Sequence, residues 1–108
     1  MDKEMMKGSI DILLLSLLTR QDMYGYEMVQ TLKETSGNVY NMSEGTLYPA
    51  LKRMERKEWV ESYWQEGEGG SRRKYYRITE GGRKELARKL DDWQSIQQLI
   101  FKCAGNPS

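Results

Sequence analysis

The stretch Asn41–Val60, NMSEGTLYPALKRMERKEWV, decides how this chain is read. Ser43 is a good helix N-cap, because its hydroxyl can accept from the free amides of a first turn. Side chains advance about 100° per residue on a helix. On that wheel Leu47, Ala50, Leu51 and Met54 share one side. Gly45, Pro49, Lys52, Arg53 and Arg56 share the other, with Tyr48 at its border. The first side suits a protein core. The second joins cations, a phenolic hydroxyl and a residue without a side chain, which lets a partner's backbone come close and its phosphates be neutralised. Two readings fit the stretch alone: a helix that recognises DNA, or an amphipathic helix with a solvated basic side. Its surroundings decide between them.

Upstream, Met5–Arg20 predicts a first helix, because Ile10, Leu13, Leu14, Leu17 and Leu18 recur at three and four residues. Ile12 and Leu15 widen the stripe, and Ser9 competes as an N-cap. A helix apolar over much of its girth meets more than one neighbour. Its own core is one, and a second subunit, met through Leu13 and Leu17, is the other. Gln21–Met23 reads as a short polar link, and Tyr24–Ser36 as a second helix with Met28, Val29 and Leu32 inward. Gly37 stops it as a left-handed C-cap, and Asn38–Met42 turns into the recognition helix. This is the spacing of a helix-turn-helix. Tyr24 and Tyr26, flanking Gly25, then lie either against a DNA backbone or on the core.

Downstream, Trp59–Gln65 and Arg72–Ile78 are rich in β-branched and aromatic residues, and EGEGGS between them offers Gly67, Gly69 and Gly70 for a tight reversal. A hairpin directly after a recognition helix is a wing. Arg72, Arg73 and Lys74 at its turn are placed to reach a minor groove or its phosphates; the alternative is a solvated edge strand. Thr79 N-caps a last helix, Glu80–Ala104, in which Leu86, Leu90, Trp93 and Ile100 keep a heptad-like spacing. Ile96, Leu99 and Cys103 form a second apolar line. A helix of roughly 25 residues is too long to bury itself on so small a domain, so a two-fold homodimer is expected. The fold class expected is mainly α with a small β-hairpin. Residues 1–78 form a winged helix-turn-helix and residues 79–108 a dimerisation helix.

Composition narrows the function. The net charge of +1 is uninformative, but its distribution is not. Residues 43–90 carry twelve Lys/Arg against eight Asp/Glu, while residues 1–42 carry four against six. The chain has no histidine and one cysteine, Cys103, which leaves no His-based general base, no Cys/His metal site and no internal disulfide. No enzyme, metal or cofactor is expected. No apolar run nears the ~20 residues that span a bilayer, and the N-terminal MDKEMMKGS lacks a signal pattern. A cytoplasmic location without membrane contact is expected.

In order, the elements are helix, helix, recognition helix, hairpin and long helix. The sequence resembles the PadR-like family of bacterial transcriptional regulators in its short form, over about residues 5–103. The resemblance is carried by MYGYEM at Met23–Met28, SEGTLYPALKRME at Ser43–Glu55, GGSRRKYYRITEGGR at Gly69–Arg83 and DDWQSIQQLI at Asp91–Ile100. It implies a homodimer that binds a pseudo-palindromic duplex DNA and represses nearby genes. It also implies that Tyr24, Gly25, Ser43, Gly45, Thr46, Tyr48, Pro49, Lys52 and Arg53, with Arg72, Arg73 and Lys74 of the wing, contact that DNA. Trp93 resembles the tryptophan with which multidrug-sensing members sandwich a flat aromatic effector at the dimer centre. Asp92 would offset the effector's charge, and Met5 and Met6 would line the site. Pro49 lacks the amide that Gly45's carbonyl would take, so a local bend is expected. A winged-helix module that contacts proteins and not DNA is the competing reading, favoured by the near-neutral net charge.

Overall fold

The computed structural model describes residues 8–105. Among them the chain forms four α-helices and a three-stranded antiparallel sheet. The first helix, α1, covers Ile10–Arg20. Ser9 stands at its N-cap, but its side chain makes no capping bond; the expected start at Met5 lies outside the described residues. Leu14, Leu15, Leu17 and Leu18 of α1 are all buried, as its broad apolar stripe requires. A two-residue strand, β1 (Met23–Tyr24), replaces half of the expected polar link. Helix α2 (Gly25–Thr35) follows at once. It ends on Gly37 at φ +65° and Asn38 at φ +67°, so the left-handed stop spans two residues.

Helix α3 (Glu44–Arg56) is the recognition helix of the sequence reading. It is followed by β2 (Val60–Glu66) and β3 (Arg72–Ile78), which pair from Val60 opposite Ile78 to Glu66 opposite Arg72. The first of these strands thus lies one residue later than its composition suggests. Gly69 and Gly70 reverse the chain with positive φ, whereas Gly67 is extended and donates its amide to the Ser71 carbonyl. β3 is the central strand, with β1 on its far side, where Met23 lies opposite Tyr76 and Tyr24 opposite Tyr75.

The core lies where α1, α2, α3 and the base of the sheet meet. Leu14, Leu15, Leu18, Met28, Leu47, Leu51, Met54 and Val60 are fully buried in it, each contributing roughly 1.5–3 kcal/mol of apolar transfer. Helix α4 (Glu80–Cys103) touches this core only through its first turns. Leu17 and Leu86, expected at a dimer face, are 6% and 7% exposed in the single chain. They serve the chain's own core, because α1 and the start of α4 pack against each other. Beyond Leu86 the apolar residues of α4 lie open, and Cys103 is exposed, not buried. None of the helices among the described residues is long and apolar enough to cross a membrane.

The end of α3 is tied to the start of α4. Glu58, at φ +61°, lets the amides of Glu58 and Trp59 turn back to the carbonyls of Glu55 and Met54 at 3.0 and 2.9 Å, closing a Schellman motif. The Trp59 carbonyl then accepts from the Thr79 amide at 3.0 Å, while the Thr79 hydroxyl donates to the Glu58 carbonyl at 2.6 Å and lies 3.0 Å from that of Trp59. Thr79 also caps α4 by accepting from the Gly82 amide at 3.0 Å. Gly82 is buried so tightly that a Cβ there would stand 2.0 Å from the Trp59 carbonyl oxygen. Gly81 has no such neighbour; its nearest contact would be 3.7 Å.

Gly82→Ala should therefore cost at least ~3 kcal/mol in thermal or urea unfolding. Gly81→Ala, one residue away, should be neutral or stabilise by up to ~1 kcal/mol. Equal effects of the two would contradict the close approach. Glu58→Gly should stabilise by about 1 kcal/mol, since a left-handed Glu carries a steric cost that Gly avoids.

Candidate nucleic-acid interface

Ser43 caps α3 as its residue type suggests: its hydroxyl accepts from the Thr46 amide at 3.2 Å. The wheel is obeyed. Leu47, Ala50, Leu51 and Met54 are buried, while Gly45, Tyr48, Pro49, Lys52 and Arg53 are exposed and Thr46 is half-buried. Pro49 leaves the helix unbroken. Gly45 and Pro49 both face outward, so the carbonyl deprived of its helical amide lies on the solvent side, where a water or a partner's donor can serve it. Arg53 is not a free cation, because its guanidinium meets Asp11 of α1 at 2.5 Å.

Gly25 is buried. A Cβ on Gly25 would stand 2.5 Å from the Tyr48 hydroxyl oxygen and 3.0 Å from the ring carbon bearing it. The missing side chain is what allows the Tyr48 ring to lie over the front of α2. Tyr24, the residue before it, gives its amide to Glu27 at 3.3 Å and is half-buried.

The two faces of the sheet do different things. On the face turned from the core, Tyr63 stacks on Tyr75 at 5.7 Å and 17° between planes, and Tyr75 meets the edge of Tyr24 at 5.4 Å. Arg73 lies 4.6 Å from the Tyr24 ring centre and Arg77 lies 4.7 Å from that of Tyr63. The Tyr63 hydroxyl donates to Asp22 at 2.6 Å, and that bond to a carboxylate pushes the phenol above its ordinary value. Arg77 also approaches Asp22 and Glu61, at 3.6 and 3.7 Å. This layer fixes β1 to the wing and holds Arg73 in place.

On the core-side face, Tyr76 and Ile78 are buried beneath the helices, and burial pushes the Tyr76 phenol up. Further along, the sheet runs past the core. There Trp64, opposite Lys74, faces an open cleft of about 520 Å³ between the wing and the front of α2 and α3. Tyr24, Gly25 and Tyr48 line it together with Trp64, Arg73, Lys74 and Tyr76. The structure thus brings together Tyr24, Gly25, Tyr48, Arg73 and Lys74 of the residues named from sequence. Lys52 and Arg53 lie farther along α3, and Arg72 rests over the Trp64 ring at 5.2 Å. Trp64, Tyr63, Tyr75 and Asp22 were not foreseen. The period-two alternation of WVESYWQ against RRKYYRI carries the signal for the first three, since it sorts each strand into two faces.

Trp93 and Asp92, of the second group of named residues, do not line this cleft. Trp93 is half exposed on α4. Asp92 accepts from Arg88 at 3.1 Å, one of two carboxylates that guanidinium holds; the other, Glu85, has its acidity raised by the contact. Met5 and Met6 lie outside the described residues. No group of His, Cys, Asp or Glu among the described residues is arranged to hold a metal.

Comparison with known proteins agrees with this architecture. A family model described as the PadR-like transcriptional regulator family matches residues 14–88. An uncharacterised protein of Lysinibacillus sphaericus is 34% identical over 97 residues, covering 90% of this chain and 89% of that protein. The structure of a transcriptional regulator from Clostridium thermocellum superposes with a TM-score of 0.85 at 36% identity, covering 93% of this chain and 97% of the other. That of a PadR family transcription regulator from Clostridium difficile does so with a TM-score of 0.78 at 38% identity, covering 89% and 98%. The matched segment runs from α1 through the recognition helix and wing into α4, and with it the chain belongs to the PadR-like family of transcriptional regulators.

Proposed function

We propose that the protein is a homodimeric repressor that binds duplex DNA through the exposed face of α3, the front of α2 and the wing. The observation that carries this reading is the cleft itself. Tyr48 on the recognition helix and Arg73 and Lys74 on the wing converge on one concave surface, continuous with the exposed Gly45, Pro49 and Lys52. Cations and a phenol around a concave strip suit a phosphate backbone, and a residue without a side chain admits close approach. A helix-turn-helix puts its second helix into a major groove, so a two-fold dimer asks for half-sites about 10 base pairs, or a multiple, apart. In this reading residues 1–78 recognise DNA and residues 79–108 join the protomers.

The uncovered face of α4 supports the dimer. Leu90, Trp93, Ile96, Leu99 and Ile100 lie exposed on one chain, a continuous apolar surface of the kind soluble monomers seldom carry. Leu13, half-buried on α1 and packed against the core, is a further contact expected in this dimer. A planar aromatic effector between Trp93 and its symmetry mate is the regulation the resemblance implies. The half-exposed indole favours it, whereas the engagement of Asp92 by Arg88 weakens that carboxylate's part.

Fluorescence anisotropy with DNA from upstream of the protein's own gene, at several salt concentrations and against a scrambled duplex, tests the reading. A specific complex that weakens steeply with salt is expected. Lys52→Ala together with Arg53→Ala should weaken it by roughly tenfold or more and flatten the salt dependence, with thermal stability little changed. Parental affinity in that double variant at matched salt would place the interface elsewhere. In light scattering the protein should have twice its chain mass of 12.7 kDa, and Ile96→Glu with Leu99→Glu should halve that mass and remove tight binding to the two-half-site duplex.

A further inference from the structure

Trp64 is 58% exposed on a wing whose other large apolar residues on the core side, Val60, Tyr76 and Ile78, are buried. An indole is a large apolar surface to leave in water. Its neighbours are cationic. Lys74 is its cross-strand partner, and Arg72 lies over its ring at 5.2 Å. Tyr48 and Tyr24 also line this cleft. The cleft thus alternates aromatic faces with charged tips. A DNA backbone alternates in the same way, with anionic phosphates separated by largely apolar sugars.

We propose that Trp64 is a deoxyribose contact: its indole packs on a sugar of the DNA strand that runs through the cleft, while Arg73 and Lys74 hold the flanking phosphates. The proposal rests on the DNA reading above. With α3 in a major groove and the wing tip at the adjacent minor groove, the ridge between the two grooves is one sugar–phosphate strand. The cleft between α3 and the wing is the space that ridge occupies. The contact adds apolar area and no charge, so it strengthens binding without reading sequence.

The test separates this contact from the DNA reading on which it rests. A duplex is selected from a random pool with the unaltered protein, and its affinity is measured across a salt series. Trp64→Ala should bind about tenfold more weakly at every salt concentration, about 1.4 kcal/mol. The slope of log affinity against log salt should be unchanged, because no phosphate contact is lost. Trp64→Phe should recover most of the loss. Lys74→Ala should instead lower the slope by about one. In a Trp59→Phe, Trp93→Phe protein, Trp64 is the remaining tryptophan, and DNA should protect its fluorescence from acrylamide.

Unchanged affinity of Trp64→Ala, or equal quenching with and without DNA, overturns the sugar contact and leaves the DNA reading standing. A slope lowered by about one in Trp64→Ala shows that the indole acts only as a shelf for Arg72, and overturns it too. If the unaltered protein forms no salt-sensitive complex with any duplex, both readings fall together. Trp64 is exposed, so its substitution should leave circular dichroism and melting unchanged.

Discussion

The Trp59 carbonyl is the point around which this chain is arranged. It receives the amide of Thr79, whose hydroxyl donates to the neighbouring Glu58 carbonyl, and the bare Cα of Gly82 closes on it so tightly that any side chain would collide. Trp59 itself follows the left-handed Glu58 that ends α3. Its ring has the ammonium groups of Lys57 and Lys89 at 4.7 and 5.2 Å. The end of the recognition helix, the start of β2 and the first turns of α4 are therefore fixed at one place by hydrogen bonds, close packing and cation–π contact. No single one of these contacts is strong. Acting on a single short segment, they set the direction in which α4 leaves the core. The face that would meet DNA and the face that would meet a second chain are thereby held in one rigid relation.

The wing needs separate support, since an isolated two-stranded hairpin is marginal in water. β1 supplies a third strand, and the layer of Tyr24, Tyr75 and Tyr63 ties that strand to the hairpin. Arg73 and Arg77 lie against this layer, so their guanidinium groups are partly ordered before any partner arrives. Groups ordered in advance lose less conformational freedom on binding, which would favour the phosphate contact proposed for Arg73. The buried Gly25 acts in the same way on Tyr48, by leaving it one place to lie.

The helical framework was legible in the sequence because its signals are local. Ser43 and Thr79 cap where their hydroxyls suggest, and the wheel of α3 separates buried from exposed residues without exception among those weighed. What escaped is non-local. Met23 and Tyr24 form a strand only because Tyr75 and Tyr76 stand beside them, some fifty residues later. Leu17 and Leu86 share the apolar pattern of a dimer stripe, and periodicity cannot tell which partner covers such a residue. Arg53 looked free on the wheel, but Asp11, on another helix, holds it. Gly25 and Gly82 are ordinary glycines in the sequence, and only the packing shows that one yields to a tyrosine ring and the other to a carbonyl.

This rigidity limits how an effector can act. Past Leu86 the apolar residues of α4 are open, and Trp93 is not among the residues that line the cleft. The recognition face has little freedom to rearrange in response, held as it is by the Trp59 junction, the Gly25–Tyr48 contact and the Arg53–Asp11 pair. What would remain adjustable in such a dimer is the angle at which two copies of α4 cross. In the proposed dimer each recognition helix sits at the end of that lever, so a small change of crossing angle changes the separation of the two α3 helices and their match to half-site spacing. An effector would work only by binding one crossing angle better than another. Its chemistry is accordingly a matter for the exposed surface of α4, and its consequence a matter for the junction at Trp59.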